Sequence, residues 1–371
     1  MKQLLSSLLV VTCAGMAGAQ DPQTLTFDDE VWTIDAQHAQ LVERLGQPAL
    51  HWHTGFVWLD QRQLGTGELR FDLSLSGMPG YTGVIWHAQS RGDWEKFYFR
   101  HHLSGLPDSV QYTPAFDGVT AWQIHADSDF MSVVNHETER WMAVRVVIGE
   151  DSADIYMDGE LIHHVPDLLR DESGGGIGFW NFGLEDQHSA FIRNVEIINT
   201  PNPEIKGRST GVTHDLPDGL VTEWRVSAPF SEARLATETV ADVRAGLADW
   251  TTLAVEANGI ANLARAARIS EGNTVLAEAT LTSPSAQTVN LSFGYSDRVV
   301  VTLNGERLFA GNNTFLTRDY RYLGTVTRHV AVPLDLQPGD NTLTFALSEL
   351  VGGWAVTADI QGGDGVELTS H

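Results

Sequence analysis

The sequence predicts an all-β protein, and three observations lead to that prediction. Short runs alternate apolar and polar side chains with a period of two; in the clearest run, residues 69–76, every second side chain from Leu69 to Leu75 is apolar. Asp-Gly at 158–159 and Asn-Gly at 304–305, dipeptides that favour two-residue hairpins, each join two such runs. Long helical patterns are few, and the alanine-rich stretch 240–267 predicts one short helix, around residues 239–248.

The chain is long enough for two domains, which is the expectation for 371 residues. Strand patterns fill residues 24–199 and again residues 218–361. Between them, residues 200–217 contain prolines and glycines without an apolar period, which is typical of a linker. We therefore expect a domain on each side of a linker at 200–217.

Residues 1–19 have the pattern of a secretory signal: a basic start, an apolar run and Ala-Gly-Ala as the cleavage site. Cleavage is expected before Gln20, which predicts a secreted or periplasmic protein. The only cysteine, Cys13, follows Val-Val-Thr, a poor lipidation sequence, so a lipid anchor is the weaker alternative. No later run of about eighteen apolar residues is present, so no membrane span is expected.

The formal net charge of the chain is −25. Such a charge disfavours nucleic acids and anionic membranes as partners, because like charges repel. It is compatible with calcium or with neutral sugars. A surface selected only for solubility explains the same charge equally well.

The stretch from Asp93 to Ala126 contains the strongest candidate for a ligand site. Phe97 and Phe99 alternate with polar side chains, which predicts a strand with one apolar and one polar face. If the strands before and after it are its neighbours, their polar side chains lie on the same face. The candidate ligand-binding residues are Tyr98, Arg100, His102, His87, Gln123 and Trp180.

These side chains suit a sugar. Arginine and glutamine make directional hydrogen bonds to hydroxyl groups, and Tyr98 or Trp180 offers an aromatic ring on which a pyranose can stack. The alternative is a polar face without a ligand, in which Arg100 pairs with Asp108. Both interpretations remain open from the sequence.

The segment FYFRHH-SG-PD-QY-P-F-G-WQ within this stretch resembles secreted bacterial proteins with the concanavalin A-like lectin/glucanase fold, near the laminin-G-like group. The hairpin IYMDGELI and the strands GGGIGFWNF and AFIRNVEII extend the resemblance to about Ile198. It implies a β-sandwich whose concave face carries the polar side chains. A strand of this group commonly ends near an arginine, where this chain has His87. The superfamily contains lectins, hydrolases and adhesive modules.

The second half resembles a different domain. FGYSDRVVVTLNGERLF, RDYRYLG and L-PGDNTL are similar to the galactose-binding-like jelly roll found beside carbohydrate-active enzymes, over roughly residues 277–360. Together the two resemblances imply two β-sandwich (jelly-roll) domains. Domains of the second kind are often accessory.

Catalytic and metal sites are less clear. The E-x-D-x-(x)-E pattern of the glucanase branch is absent, although Asp93 and Glu95 flank the central motif and could act as acid or base. A branch that cleaves keto-sugars has weak motifs and stays open. Resemblance to laminin-G-like domains implies a calcium ion at the sandwich rim, for which Asp127 and Asp129 are the candidate ligands. Ordinary solvated turns are the alternative.

We therefore expect a secreted, lectin-like protein that binds a glycan or polysaccharide without catalysis. The alternative is a hydrolase or lyase for glycosides or keto-sugars, with its site on the concave face of the N-terminal domain. A third possibility, an adhesive or scaffolding protein, has no distinct sequence feature. Calcium is the one candidate cofactor.

Overall fold

The computed structural model describes residues 23–183, 190–211, 214–319 and 322–369. In the first half the strands are β1 (Thr24–Phe27), β2 (Glu30–Ala36), β3 (Ala39–Arg44), β4 (Gln47–Trp52), β5 (Gly55–Leu64), β6 (Gly67–Leu75), β7 (Gly80–Ala88), β8 (Glu95–Phe99), β9 (Val110–Tyr112), β10 (Ala115–Phe116), β11 (Val119–Thr120), β12 (Met131–Ser132), β13 (Trp141–Ile148), β14 (Ala153–Met157), β15 (Glu160–Val165), β16 (Gly175–Gly183) and β17 (Ala190–Asn199).

In the second half they are β18 (Glu223–Ser227), β19 (Trp250–Ala254), β20 (Ala261–Asn262), β21 (Thr274–Ser283), β22 (Gln287–Ser296), β23 (Arg298–Leu303), β24 (Glu306–Asn312), β25 (Val330–Leu336), β26 (Gly339–Ser348), β27 (Ala355–Gln361) and β28 (Glu367–Thr369). The α-helix of the described part is α1 (Val240–Ala245), and short 3-10 turns lie at His101–Leu103, Glu232–Ala236 and Leu263–Arg265.

Two antiparallel sheets form the first β-sandwich. Sheet I has the strand order β1-β2-β5-β16-β7-β8-β9-β12, and sheet II the order β15-β14-β13-β6-β17-β4-β3. Their inner faces share one apolar core, in which Phe71 of sheet II meets Phe179 of sheet I edge to face at 4.9 Å between ring centroids. Edge-to-face packing of this kind adds to the stabilisation that burial provides.

The second half forms a second β-sandwich. Sheet III has the order β19-β18-β21-β26-β23-β24, with β28 also paired to β21, and sheet IV the order β20-β27-β22-β25. Phe293 of sheet IV packs edge to face on Phe345 of sheet III, with 5.3 Å between their ring centroids. The predicted all-β fold of two sandwiches is therefore confirmed.

Several local predictions are also confirmed. The four alternate apolar residues of the clearest predicted run, Leu69 to Leu75, are all buried in β6. Both predicted hairpin turns have their two central residues at positive φ, 50° and 85° at 158–159 and 51° and 84° at 304–305. Helix α1 begins after Thr239, whose side chain accepts a hydrogen bond from the Asp242 N–H in a capping box.

The two sandwiches contact each other through residues 115–126, which we call the docking segment. Within it, Val119 belongs to the core of the second sandwich. His125 Nε2 lies 2.7 Å from Glu256 Oε2, and both side chains are buried. Ala121 and Ile124 pack in a small apolar cluster with residues of the second half. The docking segment therefore carries apolar and ionic contacts between the halves.

The predicted linker has neither helix nor strand in its described parts, 200–211 and 214–217. The backbone N–H groups of Lys206 and Gly207 donate to Asp154 Oδ2 at 2.7 and 2.9 Å, which ties this part of the linker to the first sandwich. The domain boundaries themselves remain a prediction. The leader at 1–19 lies outside the described residues, and no helix among the described residues has the length and apolar character to cross a bilayer.

Candidate functional site

The outer face of sheet I, turned away from the sandwich core, carries a row of side chains across four neighbouring strands. Backbone pairing places Trp180 of β16 opposite Gly83 of β7, and Gly83 opposite Tyr98 of β8. Tyr98 in turn lies opposite Gln111 of β9. Because side chains alternate along each strand, residues directly opposite one another point to the same side of the sheet.

Strand β8 has the alternation that the sequence predicts. Phe97 and Phe99 lie in the core of the first sandwich. Lys96 and Tyr98 point the other way, onto the outer face, where both approach Trp180. The period of β8 thus places Lys96 and Tyr98 together on the outer face.

Lys96 lies across the neighbouring strand. A Cβ atom added to Gly83 would lie 3.1 Å from Lys96 Cδ and 3.2 Å from Lys96 Cγ, so the absent side chain leaves room for the lysine stem. The amine then reaches 3.9 Å from the centroid of the Trp180 ring and 4.8 Å from that of Tyr98. A third ring, Trp94, lies 5.1 Å from the amine. These rings form an aromatic cage around a cation.

The amine has no ionic or hydrogen-bonding partner in the described part of the chain. Lys96 is only 4% exposed. Burial, and secondarily the nearby Arg100 guanidinium, lowers the pKa of Lys96 to about 7. At neutral pH the amine is therefore available both as a cation and as a neutral donor and acceptor.

A buried polar network lies beside the amine. The Tyr98 hydroxyl donates to Gln111 Oε1 at 2.5 Å, and Arg100 donates to both groups through Nη2. Arg100 Nη1 donates to Asp108 Oδ2 at 2.9 Å. Burial raises the pKa of Tyr98 to about 12, so the phenol stays protonated. The network holds Tyr98 in a fixed position.

Tyr98 and Arg100 are more buried than the sequence suggests. Arg100 is 7% exposed, and the amide nitrogen of Gln111 donates to the carbonyl oxygens of Trp122 and His125 in the docking segment. The face opposite Phe97 and Phe99 is polar, as predicted, but at these two residues it is covered. Sequence periodicity identifies the face of a strand and does not reveal what covers that face.

Three rings on the same face are accessible. Tyr81 and Trp180 are half-buried, and Phe182 is 37% exposed. The Trp180 and Phe182 rings are nearly parallel, at 12° and 6.3 Å, and Tyr81 lies 6.2 Å from Trp180. We call the surface formed by Tyr81, Lys96, Tyr98, Trp180 and Phe182 the aromatic face.

His102 does not continue strand β8. The strand ends at Phe99, and the following turn, His101–Leu103, takes the chain out of the sheet. The predicted alternation through residue 102 is therefore wrong. His102 still borders the aromatic face, because its ring packs edge-on against Tyr81 at 5.0 Å while Nδ1 lies 2.9 Å from the Gly80 carbonyl oxygen.

His87 lies towards the other end of β7. Its φ is 51°, and ring atom Nε2 lies 3.0 Å from the carbonyl oxygen of Gly65. Burial lowers the pKa of His87, which favours a neutral ring. The structure places this histidine in the packing of the strand ends and gives it no contact with Tyr98.

Gln123 lies at the contact between the two sandwiches. Its Oε1 accepts a hydrogen bond from Ser296 Oγ at 2.8 Å, and its Nε2 donates to the Leu323 carbonyl at 2.6 Å. The strand that was expected to carry Gln123 beside β8 is not formed, because β9 is followed by the docking segment. Gln123 therefore joins the two halves and is separate from the aromatic face.

The candidate calcium ligands Asp127 and Asp129 lie in a turn, where each carboxylate accepts a hydrogen bond. Asp127 Oδ1 accepts the Asp129 N–H at 2.9 Å, and Asp129 Oδ1 accepts the Thr210 hydroxyl at 2.7 Å. Among the described residues, no group of three or more His, Cys, Asp or Glu side chains is placed to hold a metal. Their carboxylates stabilise a turn and its contact with residue 210, and a calcium ion held there together with backbone carbonyls stays a prediction.

Four residues of this site were not predicted from the sequence: Tyr81, Lys96, Gln111 and Phe182. Lys96 shares the parity of Tyr98 within β8, so the same period that identifies Tyr98 also places the lysine on that face. Gln111 offers no such signal, since only the pairing of β8 with β9 brings it to Tyr98.

A separate cleft lies between the two sandwiches. It has a volume of about 410 Å³, with mixed charges and one aromatic ring. Arg170 lies in it, donating to the Ala115 carbonyl at 2.6 Å and to Glu172 Oε1 at 2.9 Å. The residues that line the cleft include Asp93, Phe116, Asp117, Arg170, Asp171, Glu172, Arg265 and Arg268.

Glu95 is two positions from Asp93, which lines the cleft, but the Glu95 side chain is fully buried. Its Oε1 accepts the Arg170 N–H at 2.9 Å, and the Tyr112 hydroxyl lies 2.5 Å from its Oε2. Burial raises the pKa of Glu95 to about 7 despite these contacts. Asp93 differs: burial opposes its ionisation, yet hydrogen bonds from Asp117 N–H and Ser90 hold its pKa below the usual value.

Comparison with known proteins gives only distant likenesses. No protein-family model matches the sequence, and no curated protein matches it significantly. Among solved structures, the carbohydrate binding module CBM66 from Bacillus subtilis is 12% identical with a TM-score of 0.33, over 44% of this chain and 92% of that one. A β-glucanase from Bacillus licheniformis is 12% identical with a TM-score of 0.33, over 47% of this chain and 97% of that one. At these values the likenesses assign no activity to the chain.

Proposed function

We propose that this chain is an exported carbohydrate-binding protein that holds a glycan on its aromatic face without cleaving it. The observation that carries the proposal is the group of accessible rings, Tyr81, Trp180 and Phe182, beside an amine to which the described residues offer no hydrogen bond or ion pair. Sugar rings have apolar C–H faces that pack on aromatic side chains and hydroxyl groups that need polar partners. The aromatic face offers both.

The buried hydrogen-bond network holds the side chains of this face in fixed positions. Tyr98 is fixed by Gln111 and Arg100, and Arg100 is fixed by Asp108. Rings that are already held in place lose little conformational freedom when a ligand binds, which favours affinity. Tyr98 and Arg100 therefore act mainly as positioning residues for the exposed rings.

The test is a glycan array with the full-length mature protein, followed by affinity measurements on Trp180→Ala. Trp141→Ala is a matched control, because Trp141 is also half-buried and lies under an arginine, with Arg193 Cζ 4.5 Å from its ring centroid, but on sheet II. We expect Trp180→Ala to weaken binding by about tenfold or more and Trp141→Ala to leave it unchanged. Equal effects of both substitutions, or none, would overturn the proposal.

A second candidate function is cleavage of a glycoside or keto-sugar, by a hydrolase or a lyase reaction. The cleft between the sandwiches favours it, because Asp93 and Glu172 place two carboxylates in a concave site. Incubating the array hits with the protein separates the two functions: unchanged glycans support binding alone. Turnover that Asp93→Asn abolishes would instead establish an enzyme and move the site to the cleft.

A further inference from the structure

We propose that the glycan bound at the aromatic face carries an anionic group on a sugar ring, a carboxylate or a sulfate, and that this group pairs with the amine of Lys96. The inference rests on the proposed function and specifies its ligand. It follows from the surroundings of the buried amine, in which the described residues provide no counter-ion.

The Lys96 amine has no counter-ion among the described residues. Lysine is almost never fully buried unless it is paired. The Lys96 amine is surrounded by the rings of Trp180, Tyr98 and Trp94, and no acceptor in the described residues bonds to it. Aromatic rings attract a cation, but they replace only part of the hydration that burial removes.

Among the described residues, the elements packed around the amine supply no unpaired negative charge. Strand β16 contributes Trp180, β7 contributes Gly83 and the neutral Tyr81, and β9 contributes Gln111. On the side of β8, the charged group near Lys96 is Arg100, which is itself a cation and is already paired with Asp108. An anionic ligand group therefore meets a net positive site.

Strand β7 leaves space for the Lys96 side chain, because residue 83 is a glycine. The Lys96 stem lies closely over Gly83: an added Cβ would lie 3.1 Å from the lysine Cδ, so a side chain there would push the stem aside by a few tenths of an ångström. The amine is thus held beside a half-exposed tryptophan, instead of extending freely into solvent as lysine ordinarily does. A ring substituent of a sugar resting on the accessible rings would reach this amine through the small part of the lysine that is exposed, 4% of its surface.

Two consequences distinguish an anionic ligand from a neutral one. Pairing favours the protonated amine, so binding takes up a proton at a pH where free Lys96 is partly neutral. Affinity for the anionic glycan should then fall as pH rises from 6 to 9, whereas affinity for a neutral glycan should not. The net charge of −25 disfavours anionic polymers at long range, so any preference for them must come from this local site.

The experiment is isothermal titration calorimetry with three oligosaccharides: a galacturonate oligomer, a sulfated galactose oligomer and a neutral galactose oligomer. Each is titrated at about pH 6 and pH 8.5, in buffers of different ionisation enthalpy, into the wild type, Lys96→Met and Gly83→Ala. Lys96→Met keeps the bulk of the side chain and removes the charge. Gly83→Ala keeps the amine and displaces its stem. Thermal melts establish that both variants fold.

We expect the wild type at pH 6 to bind at least one anionic oligomer about tenfold or more tighter than the neutral one, with proton uptake near neutral pH. Lys96→Met should abolish this preference and the proton uptake, and Gly83→Ala should reduce both. Which anionic oligomer binds decides between carboxylate and sulfate. Equal affinity of the wild type for anionic and neutral oligomers, or a preference that survives in Lys96→Met, would overturn this inference alone. Failure of all glycans, including those on the array, would overturn the proposed function with it.

Discussion

The amine of Lys96 lies 3.9 Å from the centroid of the Trp180 ring, although the two residues belong to strands that are not neighbours. The strand between them has Gly83 at the crossing point, and the lysine stem lies over it. This relationship links a buried amine with an accessible ring on one surface. It also makes the stability of the first sandwich depend on pH.

Lys96→Met should stabilise the protein most at low pH. The pKa of Lys96 is about 7 in the folded chain and 10.5 for an ordinary lysine, so between these values the unfolded chain binds more protons. The contribution of Lys96 therefore increases the free energy of unfolding as pH rises from 7 to 10.5, and burying the charged form is most costly below pH 7. Urea unfolding at several pH values should show a variant advantage at pH 6 that diminishes towards pH 10. A constant difference would contradict the assignment.

Glu95→Gln should show the opposite trend. Because burial raises the pKa of Glu95 from 4.5 to about 7, the folded chain binds more protons between these values. The stability that Glu95 contributes is complete below pH 4.5 and is lost as pH rises through 7. The variant should therefore gain stability relative to wild type between pH 5 and 8, by on the order of 3 kcal/mol at most. The check is the same denaturation series. A free energy of unfolding that falls relative to wild type as pH rises would refute the prediction.

Arg100→Ala should destabilise the first sandwich by about 2–4 kcal/mol, since it removes a buried guanidinium that bonds Tyr98, Gln111 and Asp108. Arg62→Ala is the control: Arg62 also pairs with an acid, Glu30, but its side chain is 53% exposed, and the loss should stay below about 1 kcal/mol. Chemical denaturation measures both. Equal losses would show that the network around Arg100 is not buried in solution.

The residues around Arg100 show how far the sequence predicts this site. The period of two correctly separates Phe97 and Phe99 from Tyr98, because one face of a strand must enter the core. The same period could have identified Lys96. The sequence also predicts both Gly-containing hairpin turns, since their positive φ values need particular residues.

Other features depend on contacts between distant parts of the chain. Gln123 joins the second sandwich through Ser296 and Leu323, which lie more than 170 positions away, and no local pattern announces such a contact. Arg100 is buried in a network with Gln111, which is itself bonded to the docking segment, a stretch without regular alternation. The end of β8 at Phe99 was missed because His102 continues the period in sequence after the chain has left the sheet.

Gly305→Val should cost more than about 1 kcal/mol, because φ at this residue is 84° and a β-branched side chain is strained there. Gly46→Ala is the control, because φ at Gly46 is similar, 73°, and no atom lies within 4 Å of an added Cβ. Alanine is less bulky than valine, so the loss of stability should be smaller than for Gly305→Val. Melting temperatures compare the two. An unchanged melting temperature for Gly305→Val would mean that the turn between β23 and β24 has another conformation.

The most direct measurement of the central claim is nuclear magnetic resonance of the tryptophan indole N–H groups during titration with a glycan selected on the array. The chain has 11 tryptophans, and Trp180→Phe and Trp141→Phe assign the two signals that matter. If the aromatic face binds the glycan, the Trp180 signal shifts in a saturable way while the Trp141 signal stays in place. Saturable binding that leaves the Trp180 signal unmoved would contradict the account and place the glycan elsewhere on the protein.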